Sequence, residues 1–149
     1  MQKIGFMVVV FIAWLALVGF LLMTPSYRMS IQAKLASSSG DYEKAHELAT
    51  QAELLDPYNR MAMAIARESE DQLALKRYIR DAKETQKVIM GLLSQKSITK
   101  EQKLRIKLML EVAIGQYENS ASIKRVGNDL TSAQLYKWFA DLYARAYQN

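Results

Sequence analysis

The pattern of apolar and polar positions changes abruptly after residue 23. Residues 4–23 (IGFMVVVFIAWLALVGFLLM) carry no charged side chain. As a helix this run would be about 30 Å long, the thickness of a bilayer's hydrocarbon core. It predicts a transmembrane anchor over residues 1–24, and the following TPSYR offers no small-x-small cleavage pattern that would remove it. Beyond it, apolar positions recur at helical spacing to the end of the chain, which predicts one helical domain over residues 25–149. The expected fold is all-α: an N-terminal transmembrane helix, a helical hairpin, one long helix and two further helices.

Local signals set the helix ends. Thr24 and Pro25 suit a helix start, because proline lacks only a donor that the first turn does not use. The helix over residues 26–38 stops at SSSG, where Gly40 can adopt a left-handed backbone. Asp41 then caps a helix over residues 42–55, in which Ala45, Ala49 and Ala52 form a narrow stripe that admits a close neighbour. Asp56 and Pro57 end it. From Asn59 no Gly or Pro interrupts the chain before Gly91, so a single long helix is expected. Its seam runs through Met61, Ile65, Glu68, Gln72, Leu75, Ile79, Ala82, Gln86, Ile89 and Leu93, and Tyr78, Val88 and Leu92 widen it. Thr99 with Gln102 forms a capping box for a helix reaching about residue 117. Leu104, Ile106, Leu108, Met109, Leu110, Val112, Ala113 and Ile114 surround much of that helix and predict a central buried element. Gly127 and Asn128 mark a turn, and Thr131 with Gln134 a last capping box. In the last helix, Leu135, Phe139, Leu142 and Ala146 form the expected inward stripe. Tyr136, Trp138, Tyr143 and Tyr147 are left as a lid on the core or a docking surface.

The stretch GDYEKAHELATQAELLDPYN resembles the second helix of a tetratricopeptide repeat (TPR), with Gly40, Asp41, Tyr42, Ala45, Ala52 and Pro57 in that family's order and spacing. Ala49 departs from it, standing where the family prefers an aromatic. The repeat would span residues 26–59, with its second helix carrying most of the match. The resemblance implies packing by Gly40, Tyr42, Ala45, Ala49, Ala52 and Pro57, and an inner groove formed by Tyr27, Ser30, Lys34 and Ser37. That groove would continue along Met61, Ala64, Glu68 and Asp71. Short TPR-like domains on a single span resemble accessory subunits of bacterial envelope machines, such as flagellar motors and secretion systems. A lone repeat cannot bury both faces, so it needs completion by later helices or by another chain.

Charge sharpens the partner question. Lys76, Arg77, Arg80, Lys83, Lys87, Lys96, Lys100, Lys103, Arg105 and Lys107 stand against Asp81, Glu84 and Glu101, so a chain of net charge +5 concentrates more than its whole surplus in one segment. Such a segment suits anionic headgroups or an acidic protein; nucleic acid fits least, since no recognised binding motif accompanies it. Lys3 before the span, against Arg28 and Lys34 after it, leaves orientation nearly balanced. The short leading tail favours a domain outside the cytoplasm, hence a single-pass protein of a bacterial inner membrane with a periplasmic domain. The expected partners are the membrane through residues 4–23, protein subunits of a membrane-associated complex, and further copies of the chain.

Catalytic chemistry is sparse. The chain holds one histidine and no cysteine. His46 lies among Glu43 and Glu47 on a helix, where a solvated role is expected. Glu68 and Asp71, one turn apart, lack any neighbouring nucleophile. No catalytic residue, cofactor or metal is expected. The reading is a non-catalytic, membrane-anchored scaffold or adaptor subunit, with a peptide-binding chaperone module or an anionic-lipid-binding domain as alternatives.

Overall fold

A computed structural model describes residues 2–126 and 130–147, and within the first helix the side chains of residues 7–19. Seven helices occupy the described residues: α1 (Gln2–Met23), α2 (Pro25–Ser38), α3 (Tyr42–Leu55), α4 (Arg60–Leu93), α5 (Lys100–Asn119), α6 (Ala121–Val126) and α7 (Leu130–Tyr147). They form two compact units, Met1–Glu70 and Asp71–Asn149, with the boundary inside α4. That boundary divides the region read from sequence as one domain.

The expected membrane span is corrected. Among the described residues, no helix is long and apolar enough to cross a membrane. What α1 does show is apolar surface on every side, with the successive residues Met7, Val8, Val9 and Val10 all exposed.

In the first unit, α2 packs on α3 through alanines. Ala33, Ala36, Ala45 and Ala49 bury together with Ile65 and Ala66 of α4. Because methyl groups let backbones approach but bury little area, the hairpin needs further ties. Its turn is one: at the end of α2 the Asp41 amide donates to the Ala36 carbonyl and the Gly40 amide to the Ser37 carbonyl, both at 3.0 Å. This double closure requires a left-handed residue at Gly40, whose φ is +81°. The Asp41 side chain then accepts from the Lys44 amide and caps α3.

The second tie is a buried polar cluster. Asn59 Nδ2 donates to Ser26 Oγ (2.7 Å) and to Ser30 Oγ (2.9 Å), while Ser26 Oγ donates to the Ala52 carbonyl (2.9 Å). Asn59 Oδ1 accepts from the Ala62 amide (3.1 Å), three residues on, which caps α4. One carboxamide therefore connects α2, α3 and the start of α4.

In the second unit, Leu75, Tyr78, Ala82 and Ile89 of α4 pack with Ile106, Leu110 and Ala113 of α5, Ile123 of α6, and Leu135 and Phe139 of α7. The Thr99–Gln102 capping box forms with both of its bonds. Three helices follow α4, where two were expected. The added one is α6, whose start is held by Ser120 Oγ accepting from the Ile123 amide. Thr131 lies inside α7 rather than before it, and the Gly127–Asn128 turn falls outside the described residues.

Replacing Asn59 by alanine removes a helix cap and two buried hydrogen bonds at once. Asn59→Ala is expected to cost about 2–3 kcal/mol and Ser30→Ala about 1 kcal/mol, read by urea unfolding followed by circular dichroism. Equal costs for the two would show that the carboxamide does not organise the cluster.

Candidate docking surfaces

The face of α5 away from the core carries Leu104, Leu108 and Val112, four residues apart and so aligned on one side of the helix. They are 59%, 52% and 59% exposed. The sequence pattern predicts a central buried element here; the structure buries only Ile106, Leu110 and Ala113 of it. The reason is that α5 has its core partners on one face, so apolar side chains on the opposite face meet solvent. A groove of about 240 Å³ adjoins the ridge, with Ala82 and Thr85 of α4 on one wall and Leu108, Met109 and Val112 of α5 on the other.

A second groove, of about 540 Å³, lies between α5 and α7. Its small and apolar lining comes from Ile114, Gly115, Ala140 and Ala144, its polar lining from Glu111, Glu118, Asp141, Tyr136 and Tyr143. Tyr136 donates to Glu118 Oε1 (2.7 Å) and Tyr143 to Glu111 Oε1 (2.9 Å). These bonds to the carboxylates raise both phenols above the usual tyrosine pKa, so they stay protonated donors into strongly alkaline solution.

The aromatic residues of α7 are therefore half-covered and engaged. Tyr136 stacks on Tyr117 at 4.5 Å, Trp138 meets Phe139 edge-on at 5.2 Å, and Tyr147 donates to the Lys103 carbonyl at 2.9 Å. Trp138, Leu142, Tyr143 and Tyr147 all border the core. Leu135 and Phe139 form the buried stripe, whereas Ala146 is exposed.

Inside this aromatic group, Tyr78 is only 4% exposed and its hydroxyl has no hydrogen-bond partner among the described residues. Burial, with lesser contributions from Tyr117 and Tyr136, pushes its pKa up to about 12. Ser69, in the first unit, likewise buries a hydroxyl without a partner among the described residues.

The basic residues separate into two groups. Lys76, Arg80, Lys83 and Lys87 recur at spacings of four, three and four, which aligns them as an exposed stripe on α4; Arg77 is exposed beside it. On α5, Lys103 and Arg105 are exposed, while half-buried Lys107 lies 3.8 Å from Glu111 and 5.9 Å from the Tyr147 ring centre.

The groove expected on α2 does not form as drawn. Ser30 and Ser37 are buried, because the close α2–α3 packing and the Asn59 cluster take that face of the helix. Lys34 remains exposed and lies 3.6 Å from Glu68, and Tyr27 is half-buried. Met61 and Ala64 are exposed, but Asp71 is buried and receives Arg125, whose Nε and Nη2 donate to its two carboxylate oxygens at 2.7 and 2.6 Å. Sequence reasoning missed this pair because its members are 54 positions apart. Of the packing residues, Ala45, Ala49 and Ala52 are fully buried and Pro57 is exposed. His46 is half-buried, its Nδ1 donating to the Ala66 carbonyl at 3.1 Å.

Among the described residues, no group of His, Cys, Asp or Glu could hold a metal ion. Neither a family model, nor a curated protein, nor a solved structure matches the chain.

The buried Tyr78 hydroxyl couples folding to alkaline pH. Its folded-state pKa lies above the ordinary tyrosine value, so the protonated phenol is favoured by folding. The resulting stability is complete below about pH 10 and is lost as the pH rises toward 12. Tyr78→Phe is expected to leave neutral-pH stability unchanged or raise it by up to about 1 kcal/mol. It should also flatten the alkaline decline in a melting-temperature series from pH 8 to 12.

Proposed function

We propose that this chain is a non-catalytic adaptor that docks its helical units onto other protein subunits of a larger assembly. The observation that carries the reading is the ridge of Leu104, Leu108 and Val112 on α5. Desolvating three aligned aliphatic side chains beside a groove is a source of binding free energy. Exposed apolar surface of this kind marks an interaction site when it is contiguous. The exposed apolar side chains of α1 and the exposed Leu54, Leu55 and Tyr58 at the end of α3 add further surface that an assembly would cover.

The α2–α3 hairpin supports reading the first unit as one TPR-like repeat: its alanine packing and glycine turn are what such a hairpin requires. A single repeat is not a self-sufficient solenoid, which favours a subunit that works against neighbours. Among assemblies, a bacterial envelope machine of the flagellar-motor or secretion type fits best, on the strength of the TPR resemblance alone. Peptide capture by the α2 face is less favoured, since Ser30 and Ser37 are buried there.

Chemical cross-linking in the native cell, followed by purification of the chain, tests the proposal. The wild type should yield one or more other proteins at fixed stoichiometry. Leu108→Glu should abolish that recovery while changing folding stability by less than about 0.5 kcal/mol, as expected for an exposed position. Recovery of the uncomplexed chain alone, or full recovery with Leu108→Glu, would count against the ridge as the docking surface.

A further inference from the structure

Resting on the adaptor reading, we infer that the α5–α7 groove receives a basic segment of the protein partner, through arginine or lysine side chains laid along it. Three features combine there. Carboxylates of Glu111, Glu118 and Asp141 line it, none of the described lining residues is cationic, and the space is about 540 Å³. This occurs in a chain whose net charge is +5, so the groove is a local reversal of the molecule's own sign.

The details suit a cationic side chain with an alkyl stem. Gly115, Ala140 and Ala144 keep the lining shallow and apolar, which accommodates methylene groups. Tyr136, whose ring already stacks on Tyr117, and Tyr143 add aromatic lining of the kind a cation favours. Each tyrosine hydroxyl already donates to one oxygen of Glu118 or Glu111. An ionised carboxylate has about four acceptor positions, so these bonds orient the groups while leaving acceptors for an incoming guanidinium or ammonium. Lys107 approaches Glu111 only to 3.8 Å and is exposed enough to be displaced.

Other occupants fit less well. An anionic ligand would meet three carboxylates, and a purely apolar one would strip them of water without replacing the hydrogen bonds. A bare metal ion is disfavoured by the ligand geometry, since no metal-holding group occurs among the described residues. The chain's own basic stripe, Lys76, Arg80, Lys83 and Lys87, would make a second copy the occupant, which the test separates from a different protein.

The test uses the full chain and a dye-labelled, alanine-rich helical peptide carrying four arginines at spacings of four and three, with a glutamate-substituted peptide as control. Fluorescence anisotropy should show binding of the arginine peptide that weakens with salt, and none of the control. Glu118→Gln with Asp141→Asn should weaken it at least about tenfold. Gly115→Leu should do the same by filling the groove; the β-carbon position there meets only Asn119 Nδ2, at 3.7 Å, so the backbone tolerates a side chain. Circular dichroism melting confirms that each variant is folded.

Equal peptide affinity in wild type and both variants overturns the inference, as does equal binding of the glutamate peptide. Sedimentation velocity separates the remaining case: self-association of the wild type that the groove variants abolish assigns the groove to a second copy and overturns a basic partner. The cross-linked complex then distinguishes the two levels of interpretation. Partners lost with Leu108→Glu but retained in the groove variants refute the groove's role and leave the adaptor reading standing. Absence of partners from the wild type refutes the adaptor reading itself.

Discussion

The first unit depends on the buried carboxamide of Asn59. The α2–α3 interface is built largely from alanine, whose methyl groups bring two backbones together without burying enough area to select one register. Asn59 supplies that selection. Its two donors require Ser26 and Ser30 to be present on one face of α2, and its acceptor fixes where α4 begins. The cluster is closed, because Ser26 and Ser30 each donate a hydrogen bond to a backbone carbonyl. A buried polar group satisfied in this way adds specificity at little net cost, whereas a half-satisfied one would be destabilising.

The second unit follows another logic. Its core contains Phe139, Ile89 and Leu110, large side chains that are fully buried, so area rather than hydrogen bonding holds it together. The polar anchor there is Asp71 with Arg125, a two-point ion pair that ties the six-residue α6 to α4. Helix α6 is too short to persist by itself and needs such a tie together with buried Ile123. With α4, α6 and α7 gathered on its core face, α5 leaves its opposite face to solvent, and the surfaces available for docking follow from that asymmetry.

The two grooves beside α5 differ in chemistry because they have different neighbours. Toward α4, Leu108, Met109 and Val112 present aliphatic surface; toward α7, Glu111 and Glu118 meet Tyr136 and Tyr143. One helix thus offers an apolar ridge on one side and an oriented set of carboxylates on another. An adaptor that used both would gain free energy from the first and selectivity from the second, since burial is non-directional while charge discriminates among partners.

Much of the helical layout was legible in the sequence. Asp41, the glycine turn at Gly40, the Pro57 stop and the Thr99–Gln102 box are local signals, and α3 and the start of α5 follow them directly. Helix α6 escaped notice because it has only six residues and no long apolar run follows Ser120. The N-terminal helix itself was legible and forms as α1, but no helix among the described residues is long and apolar enough to cross a membrane. The candidate sites were far less legible: periodicity named Leu108 and Val112 as apolar but could not say which apolar face would be covered, and it placed Ser30 and Ser37 on a groove. By itself the sequence determined helix ends, charge distribution and the alanine stripe, since these depend on residues within a turn or two of each other. Only the tertiary structure decided which face of α5 stays open, that Asn59 binds two serines, and that Asp71 meets Arg125. Each of these is a relation between residues distant in the chain, brought together by packing that no local pattern encodes.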